Sequence, residues 1–302
     1  MDGVLAINKP SGMTSHDVVQ AVRRMLREKR VGHTGTLDPL ATGLLVLCMG
    51  KATRIARYLE AGEKEYTAVM RLGVITDTQD SDGRILETRT YTPPVREAII
   101  GLMGRFTGSI MQEPPVFSAI KVSGVPSYKL ARQGKAKPLA PRQVTIFSID
   151  LLEYDDPFIR LSVRCSKGVY IRTLCADIGN ALGMGAHLTG LVRTRSGRFR
   201  LDNAVTLESL SEAASSAAVD SVLVSIDEAL AEFPVATMDE AGAGKIVHGN
   251  SISWPETQPA ARDALMRVHG PSGSLLAVAR AVAGMLKPEL VFAEQEKPQE
   301  QR

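Results

Sequence analysis

The chain has 302 residues, 44% hydrophobic and 23% charged, with a formal net charge of +3. That length favours a large domain with a smaller companion over a single small core. No apolar run reaches the roughly 18–20 residues that span a bilayer, and the opening MDGVLAINKPSG has no basic stretch ahead of an apolar core, so neither a membrane span nor a secretory signal is expected.

In chain order, Val4 to Ile7 reads as a short strand stopped by Lys9-Pro10-Ser11-Gly12. Ser15 and Asp17 are placed to serve the N-terminus of a helix with apolar positions Val18, Val22, Met25 and Leu26. The other face of that helix holds a basic cluster of Arg23, Arg24, Arg27, Lys29 and Arg30. A polar, glycine-rich loop follows, Gly32 to Pro39, and then an apolar run, Leu44 to Met49, which predicts a central strand. Tyr66, Ala68, Met70 and Leu72 alternate with more polar neighbours, as a half-buried strand requires. Asp80-Ser81-Asp82-Gly83 is a turn signal. Pro94 suits the first turn of a helix using Val95, Ile99, Leu102, Met103 and Phe106.

Residues 114–141 are rich in Pro, Gly, Lys and Arg and predict a long excursion with one short helix near Tyr128–Gln133. Long irregular segments of this kind are usually binding loops or lids. Val144 to Leu152 and Ile159 to Cys165 predict paired strands, Val169 to Leu182 a helix, and Leu188 to Arg195 another strand. After Thr206–Ala214 an Ala/Ser-rich patch, Ala213 to Ala218, weakens the pattern, and a domain boundary is expected near Phe233-Pro234. Beyond the boundary, a helix over Asp239–Val247 and short strands over Leu265–Val268, Leu275–Ala279 and Leu290–Phe292 make a small β-rich module. Ala293–Arg302 is a polar tail expected to fray. Strands and helices mix without strict alternation, which predicts an α+β fold.

The distribution of charge says more than its sum. Lys121, Lys129, Arg132, Lys135, Lys137 and Arg142 follow one another without an acid, as do Arg193, Arg195, Arg198 and Arg200. With the cluster at residues 23–30 they form the footprint of a phosphate-binding surface, although any one run alone reads as a solvated face. Cys48, Cys165 and Cys175 lack CxxC spacing, which fits a reducing cytoplasm, and the five histidines are scattered, so no metal site is expected. Nucleotide motifs fail too. Gly50-Lys51 is followed by Ala52, with Leu45 where a Walker loop needs glycine, and Gly183-Met184-Gly185 meets Leu188 where a third glycine belongs.

Asp38 is the carboxylate of most interest. It is held between small residues and Pro39, which restricts it to extended conformations. On local residues alone an ordinary Asp-Pro turn or a helix N-cap explains it more simply. The segment Gly32-His33-Thr34-Gly35-Thr36-Leu37-Asp38-Pro39-Leu40-Ala41-Thr42-Gly43, however, resembles the active-site motif of the TruB family of tRNA pseudouridine-55 synthases. Ile7 to Ser15 is similar to the family's N-terminal signature, and Lys64-Glu65-Tyr66 to its tyrosine motif, followed by the stretch 76–83. Pro114 to Lys121 resembles the start of its RNA-gripping insertion, Ser166 to Leu174 its arginine motif, and His187 to Thr194 its late leucine-arginine motif. The matches run in order over residues 4–200. The C-terminal region resembles the family's PUA module more weakly.

The resemblance implies a mixed, largely antiparallel sheet with flanking helices, the pseudouridine synthase fold, over residues 1–232. A PUA-like RNA-binding module and the polar tail occupy 233–302. It implies isomerisation of a uridine in the T loop of tRNA, with Asp38 as catalytic carboxylate and Arg172 as its ionic partner. Tyr66 and Tyr170 offer flat faces against a flipped base, Tyr170 also helping to remove the C5 proton, and Leu191 supplies an apolar wall. His33 fills the vacated stack. Lys9, Lys64, Lys121, Lys129, Arg132, Arg142 and Arg193 are the expected RNA contacts. No cofactor, metal or obligatory protein partner is expected, and the cytoplasm is the expected location. One departure stands out: the first of two usual basic residues after the late leucine is Val192 here. A guide-RNA-dependent synthase and a non-catalytic RNA chaperone are the competing readings.

Overall fold

The structure is a computed structural model that describes residues 1–135, 137–254 and 263–292. The tail expected over Ala293–Arg302 lies outside the described residues.

The strands are, in chain order, β1 (Gly3–Lys9), β2 (Val31–His33), β3 (Thr42–Met49), β4 (Lys64–Leu72), β5 (Val74–Thr76), β6 (Ile85–Thr88), β7 (Gly108–Gln112), β8 (Lys121–Val122) and β9 (Val125–Pro126). They continue with β10 (Arg142–Asp155), β11 (Phe158–Cys165), β12 (Ala186–Ser196), β13 (Phe199–Arg200), β14 (Val235–Thr237), β15 (Ile252–Ser253), β16 (Leu265–His269), β17 (Leu275–Val282) and β18 (Met285–Val291). The helices are α1 (Ser15–Leu26), α2 (Ala56–Ala61), α3 (Arg96–Met103), α4 (Ser127–Arg132), α5 (Ile171–Ala181), α6 (Leu207–Ser215), α7 (Ile226–Ala229) and α8 (Glu240–Val247).

The main sheet runs β1-β3-β12-β4-β11-β10-β7, with β2 on β3 and β13 on β12. Pairings from β12 through β4, β11 and β10 to β7 are antiparallel, and β12 meets β3 in parallel. This is the mixed, largely antiparallel α+β arrangement. The β3 run is buried almost throughout, as its unbroken apolar sequence demands, yet it lies next to edge strand β1 rather than at the centre. The centre belongs to β4. Its alternation holds residue by residue: Lys64, Tyr66, Ala68, Met70 and Leu72 point inward and their neighbours outward. Each buried large apolar side chain contributes about 1.5–3 kcal/mol, so a one-residue slip of β4 would expose its whole inner set.

Two helix starts differ from expectation. In α1 the N-cap is Thr14, whose hydroxyl accepts from Asp17 N at 3.1 Å while the Asp17 carboxylate accepts from Thr14 N at 2.8 Å. This reciprocal capping leaves Ser15 free for another task. In α3 the N-cap is Val95, extended and 66% exposed, so Pro94 precedes the helix and Val95 adds nothing to the core. Pro94 still acts locally, because the helix cannot extend backwards through it. The excursion carries α4 close to where it was expected, and also a two-stranded hairpin of β8 and β9.

A second sheet, in the order β14-β16-β17-β18-β15, closes over Ala236, Ile246, Val268, Ala277, Ala279 and Leu286. This is the β-rich C-terminal part. The chain divides into two compact units. One comprises residues 5–47 and 56–222; the other joins Met1–Val4 and Cys48–Ile55 to the chain from Leu223 onward.

Candidate active site

Asp38 stands on a loop that is tied down from several sides. Ser15 Oγ donates to Leu37 O at 3.0 Å and accepts from Leu37 N at 2.8 Å. Gly12 N donates to Pro39 O at 2.9 Å, and Ala41 N closes a turn onto Asp38 O at 3.0 Å. Beneath the loop, Lys9 Nζ donates to the carbonyls of Pro10, Met13 and Pro39 at 2.9, 2.6 and 3.4 Å. Arg193 donates to Leu44 O at 2.7 Å, Gly35 O at 3.0 Å and Thr36 O at 3.4 Å. Just beyond, Gly43 has φ +90°, and an added Cβ would lie 2.5 Å from Arg193 O. Only glycine lets β3 approach β12 so closely there.

The Asp38 carboxylate faces Arg172 from the first turn of α5, with Oδ2 2.9 Å from Nε. The side chain of Arg172 is 5% exposed and that of Asp38 38%. Three further groups hold the guanidinium: Asp80 Oδ2 at 3.2 Å, Thr78 O at 2.9 Å and Phe117 O at 2.9 Å. Asp80 is itself buried, and its carboxylate accepts from Thr78 Oγ1 and from Asp82 N at 3.2 Å. Gln79, between Thr78 and Asp80, has φ 65°, a left-handed conformation that a non-glycine residue adopts at a cost. The bend aims one carbonyl and one carboxylate at the same guanidinium.

Asp38 and Arg172 line a cleft of about 250 Å³ together with Lys64, Tyr66, Lys167, Tyr170, Leu191 and Arg193. That is near the lower limit of roughly 300 Å³ for drug-sized ligand sites, so the cleft suits one small group. Tyr170 is fixed through its backbone: its N–H donates to Gln112 Oε1 at 2.8 Å and its carbonyl accepts from Gln112 Nε2 at 3.1 Å. Strand alternation points both Leu191 and Arg193 into the cleft, while Val192 turns to the other face, where it packs close to Gly43. The departure at Val192 therefore leaves the cleft lining unchanged.

Burial raises the Asp38 pKa above the ordinary carboxylate value; Arg172 opposes that shift, Asp80 adds to it, and Lys9 opposes it. Burial raises the phenols of Tyr66 and Tyr170 too, which keeps them protonated near neutrality. Lys9 and Lys64 are pushed down to about 8, mainly by burial. A carboxylate that must be ionised to act loses activity as pH falls through its pKa. The acid limb of kcat/KM should therefore lie above the ordinary aspartate value of about 3.9. Asp177, pushed up to about 6 by burial and Glu113, lies outside the cleft, so Asp177→Asn should leave the limb in place. A limb at the ordinary value, or one that moves with Asp177, contradicts Asp38 as the titrating group.

The structure thus gathers Asp38, Lys64, Tyr66, Tyr170, Arg172, Leu191 and Arg193 and leaves other expected residues apart. His33 ends β2, half-buried, with Nδ1 3.4 Å from Gly35 N, and is not among the residues lining the cleft. Lys121, Lys129, Arg132 and Arg142 are exposed on or beside the excursion, Arg132 lying over the Tyr128 ring at 5.6 Å. Three expected RNA contacts are buried rather than exposed. Lys9 and Arg193 are buried, with donors committed to backbone carbonyls, and buried Lys64 donates to Glu60 O at 3.0 Å and Gly62 O at 2.6 Å. These bonds brace the site. Arg195, from the late acid-free run, pairs across strands with Glu63 at 3.1 Å and Glu65 at 2.9 Å. Sequence reasoning missed Asp80 and Gln112; for Asp80 the signal was its place in the 76–83 stretch, which composition disguised as a solvated turn.

Comparison with known proteins gives the site a family context. Residues 23–171 match the family model of the TruB family pseudouridylate synthase N-terminal domain, and residues 172–231 that of the tRNA pseudouridylate synthase B C-terminal domain. A tRNA pseudouridine synthase B from Burkholderia lata is 45% identical over 291 residues, covering 96% of this chain and 89% of that protein. One from Geotalea uraniireducens is 43% identical over 286 residues, covering 93% and 92%. Among solved structures, an H/ACA RNP bound to a substrate RNA containing 2'-deoxyuridine holds a chain of TM-score 0.75 and 25% identity, with 97% of this chain and 85% of that one covered. A Cbf5-Nop10-Gar1 complex gives TM-score 0.75 and 27% identity, with 97% and 84% covered.

Proposed function

The chain belongs to the TruB family of pseudouridylate synthases, and we propose that it acts on a uridine in the T loop of tRNA with Asp38 as the reacting carboxylate. It is an isomerase that converts uridine to pseudouridine in tRNA. The observation that carries the finer reading is the ion pair of Asp38 and Arg172 at 2.9 Å in a cleft walled by Tyr66, Tyr170 and Leu191.

The reaction breaks the N1–C1′ bond, turns the uracil and rejoins it through C5, with the C5 proton passing to solvent and one proton gained at N1. Nothing is oxidised and no group is donated, so the balance calls for no cofactor. Asp38 serves in one of three ways: attack on C1′, attack on C6, or stabilisation of charge while the C2′ proton leaves. In each case Arg172 keeps the carboxylate ionised and aimed. A base inside a folded loop must first be extruded, at a few kcal/mol. In this reading Tyr66 and Tyr170 receive its faces, His33 takes the vacated stack, and Lys121, Lys129, Arg132 and Arg142 grip phosphates without reading sequence.

The same reading takes residues 1–232 as the catalytic domain and the sheet from Val235 to Val291 as a PUA-like RNA-binding module. It also treats the chain as a stand-alone enzyme. The higher identity to tRNA pseudouridine synthase B than to chains of H/ACA particles supports that choice over a guide-RNA-dependent one. Nothing in the comparisons favours a non-catalytic chaperone. Incubation of unmodified tRNA with the purified protein, followed by nucleotide-resolution mapping, should give one pseudouridine, in the T loop. Modification elsewhere, or only with an added guide RNA, overturns the assignment.

A further inference from the structure

The sequence offers Arg193 as a phosphate contact, but its surroundings give it different work. The residue is 2% exposed. Its guanidinium reaches Gly35 and Thr36, which precede Asp38, and Leu44, which follows it. It therefore joins the two stems of the loop that carries the proposed nucleophile. It also lines the cleft and lies within hydrogen-bonding reach of the Tyr66 hydroxyl. Its three backbone partners are the carbonyls of Leu44, Thr36 and Gly35.

We propose that Arg193 is a positioning residue, a clamp across the Asp38 loop that holds Asp38 against Arg172. The inference rests on Asp38 being the reacting carboxylate. The physical basis is the planar fork of the guanidinium, which serves several carbonyls in fixed directions, whereas an ammonium is a single point donor. The β2–β3 pairing and Thr34 N, which donates to Val46 O at 3.0 Å, also join the stems, but nearer Asp38 it is Arg193 that ties Gly35 and Thr36 to Leu44. Lys9 grips only the downstream side, through Pro39 O, and Ser15 grips Leu37. With the clamp loosened, Asp38 keeps its chemistry but loses its register with Arg172 and the substrate.

Arg193→Lys separates this role from phosphate binding, because it keeps the charge and loses the fork. Full-length wild type, Arg193→Lys and Asp38→Asn are compared with unmodified tRNA, by single-turnover rate at saturating enzyme and by filter-binding affinity. A displacement near 1 Å at the reacting group costs up to about a hundredfold. The single-turnover rate of Arg193→Lys should therefore fall tens-fold to about a hundredfold, with Kd within about threefold of wild type. A phosphate contact predicts otherwise: a retained charge leaves both values near wild type, or weaker binding leaves the saturated rate intact. Either result, beside an inactive Asp38→Asn, overturns the clamp alone. An active Asp38→Asn overturns the reading beneath it. If Arg193→Lys does not fold, Arg193→Gln takes its place in the same two measurements. Failure of both to fold assigns Arg193 to folding and overturns the proposal.

Discussion

Asp38→Asn is expected to remove turnover while leaving a folded protein that still binds tRNA. The amide has nearly the shape of the carboxylate but cannot attack carbon or hold a compensating negative charge. Loss of a reacting side chain typically lowers kcat by roughly four orders of magnitude or more. The fold should tolerate the change. Arg172 keeps Asp80 and the carbonyls of Thr78 and Phe117 when the charge of Asp38 is gone. Asp38 is also the more solvated partner of the pair. Affinity for tRNA should stay within about tenfold, or about 1.4 kcal/mol. Single-turnover kinetics and filter binding on one preparation, with a melting curve as control, make the comparison. Retained turnover within tenfold of wild type removes Asp38 from the chemistry.

Two kinds of signal made the fold and much of the cleft legible in the chain. The first is period. The alternation at Tyr66, Ala68, Met70 and Leu72 follows from the pleat, and it places Tyr66 on the inner face before any partner strand is known. The second is the resemblance of its motifs to a known family, which singled out Asp38 and Arg172 where the local residues alone favoured an ordinary Asp-Pro turn. What stayed hidden depends on convergence of distant segments. Lys9 and Arg193 look solvated in a sequence, because a cation has no intrinsic preference for burial. They are buried because the loop from Gly35 to Pro39 brings its carbonyls to them. Arg195 looked like part of an acid-free run, and its acids, Glu65 on β4 and Glu63 just before it, come from the neighbouring segment.

Asp80 is the most instructive omission, and its neutralisation carries the other large expected effect. Asp-Ser-Asp-Gly has the composition of a solvated turn, and a turn is what forms, but Asp80 points inward with its side chain only 8% exposed. Its charge matters in two opposed ways. It anchors Arg172 from the side away from the cleft, and as a like charge it raises the pKa of Asp38. Asp80→Asn preserves shape and removes both effects. Breaking one side of a buried ion pair costs roughly 3–5 kcal/mol, and the two carbonyls that still hold Arg172 place the expected loss of unfolding free energy at the lower end, about 3 kcal/mol. The catalytic effect should be larger in proportion. Arg172 becomes free to lean toward Asp38, and a shift near 1 Å at a reacting group costs up to about a hundredfold in rate. The sign of the pH effect separates this account from simple destabilisation. With Asp80 neutral, Asp38 loses a like charge and keeps Arg172, so its pKa falls and the acid limb of kcat/KM moves to lower pH even as the plateau drops. Denaturant unfolding and a pH–rate profile of the variant, taken at a temperature where it is fully folded, give both quantities. A limb that moves upward, or a plateau equal to that of wild type, means that Asp80 does not act on Asp38 through Arg172.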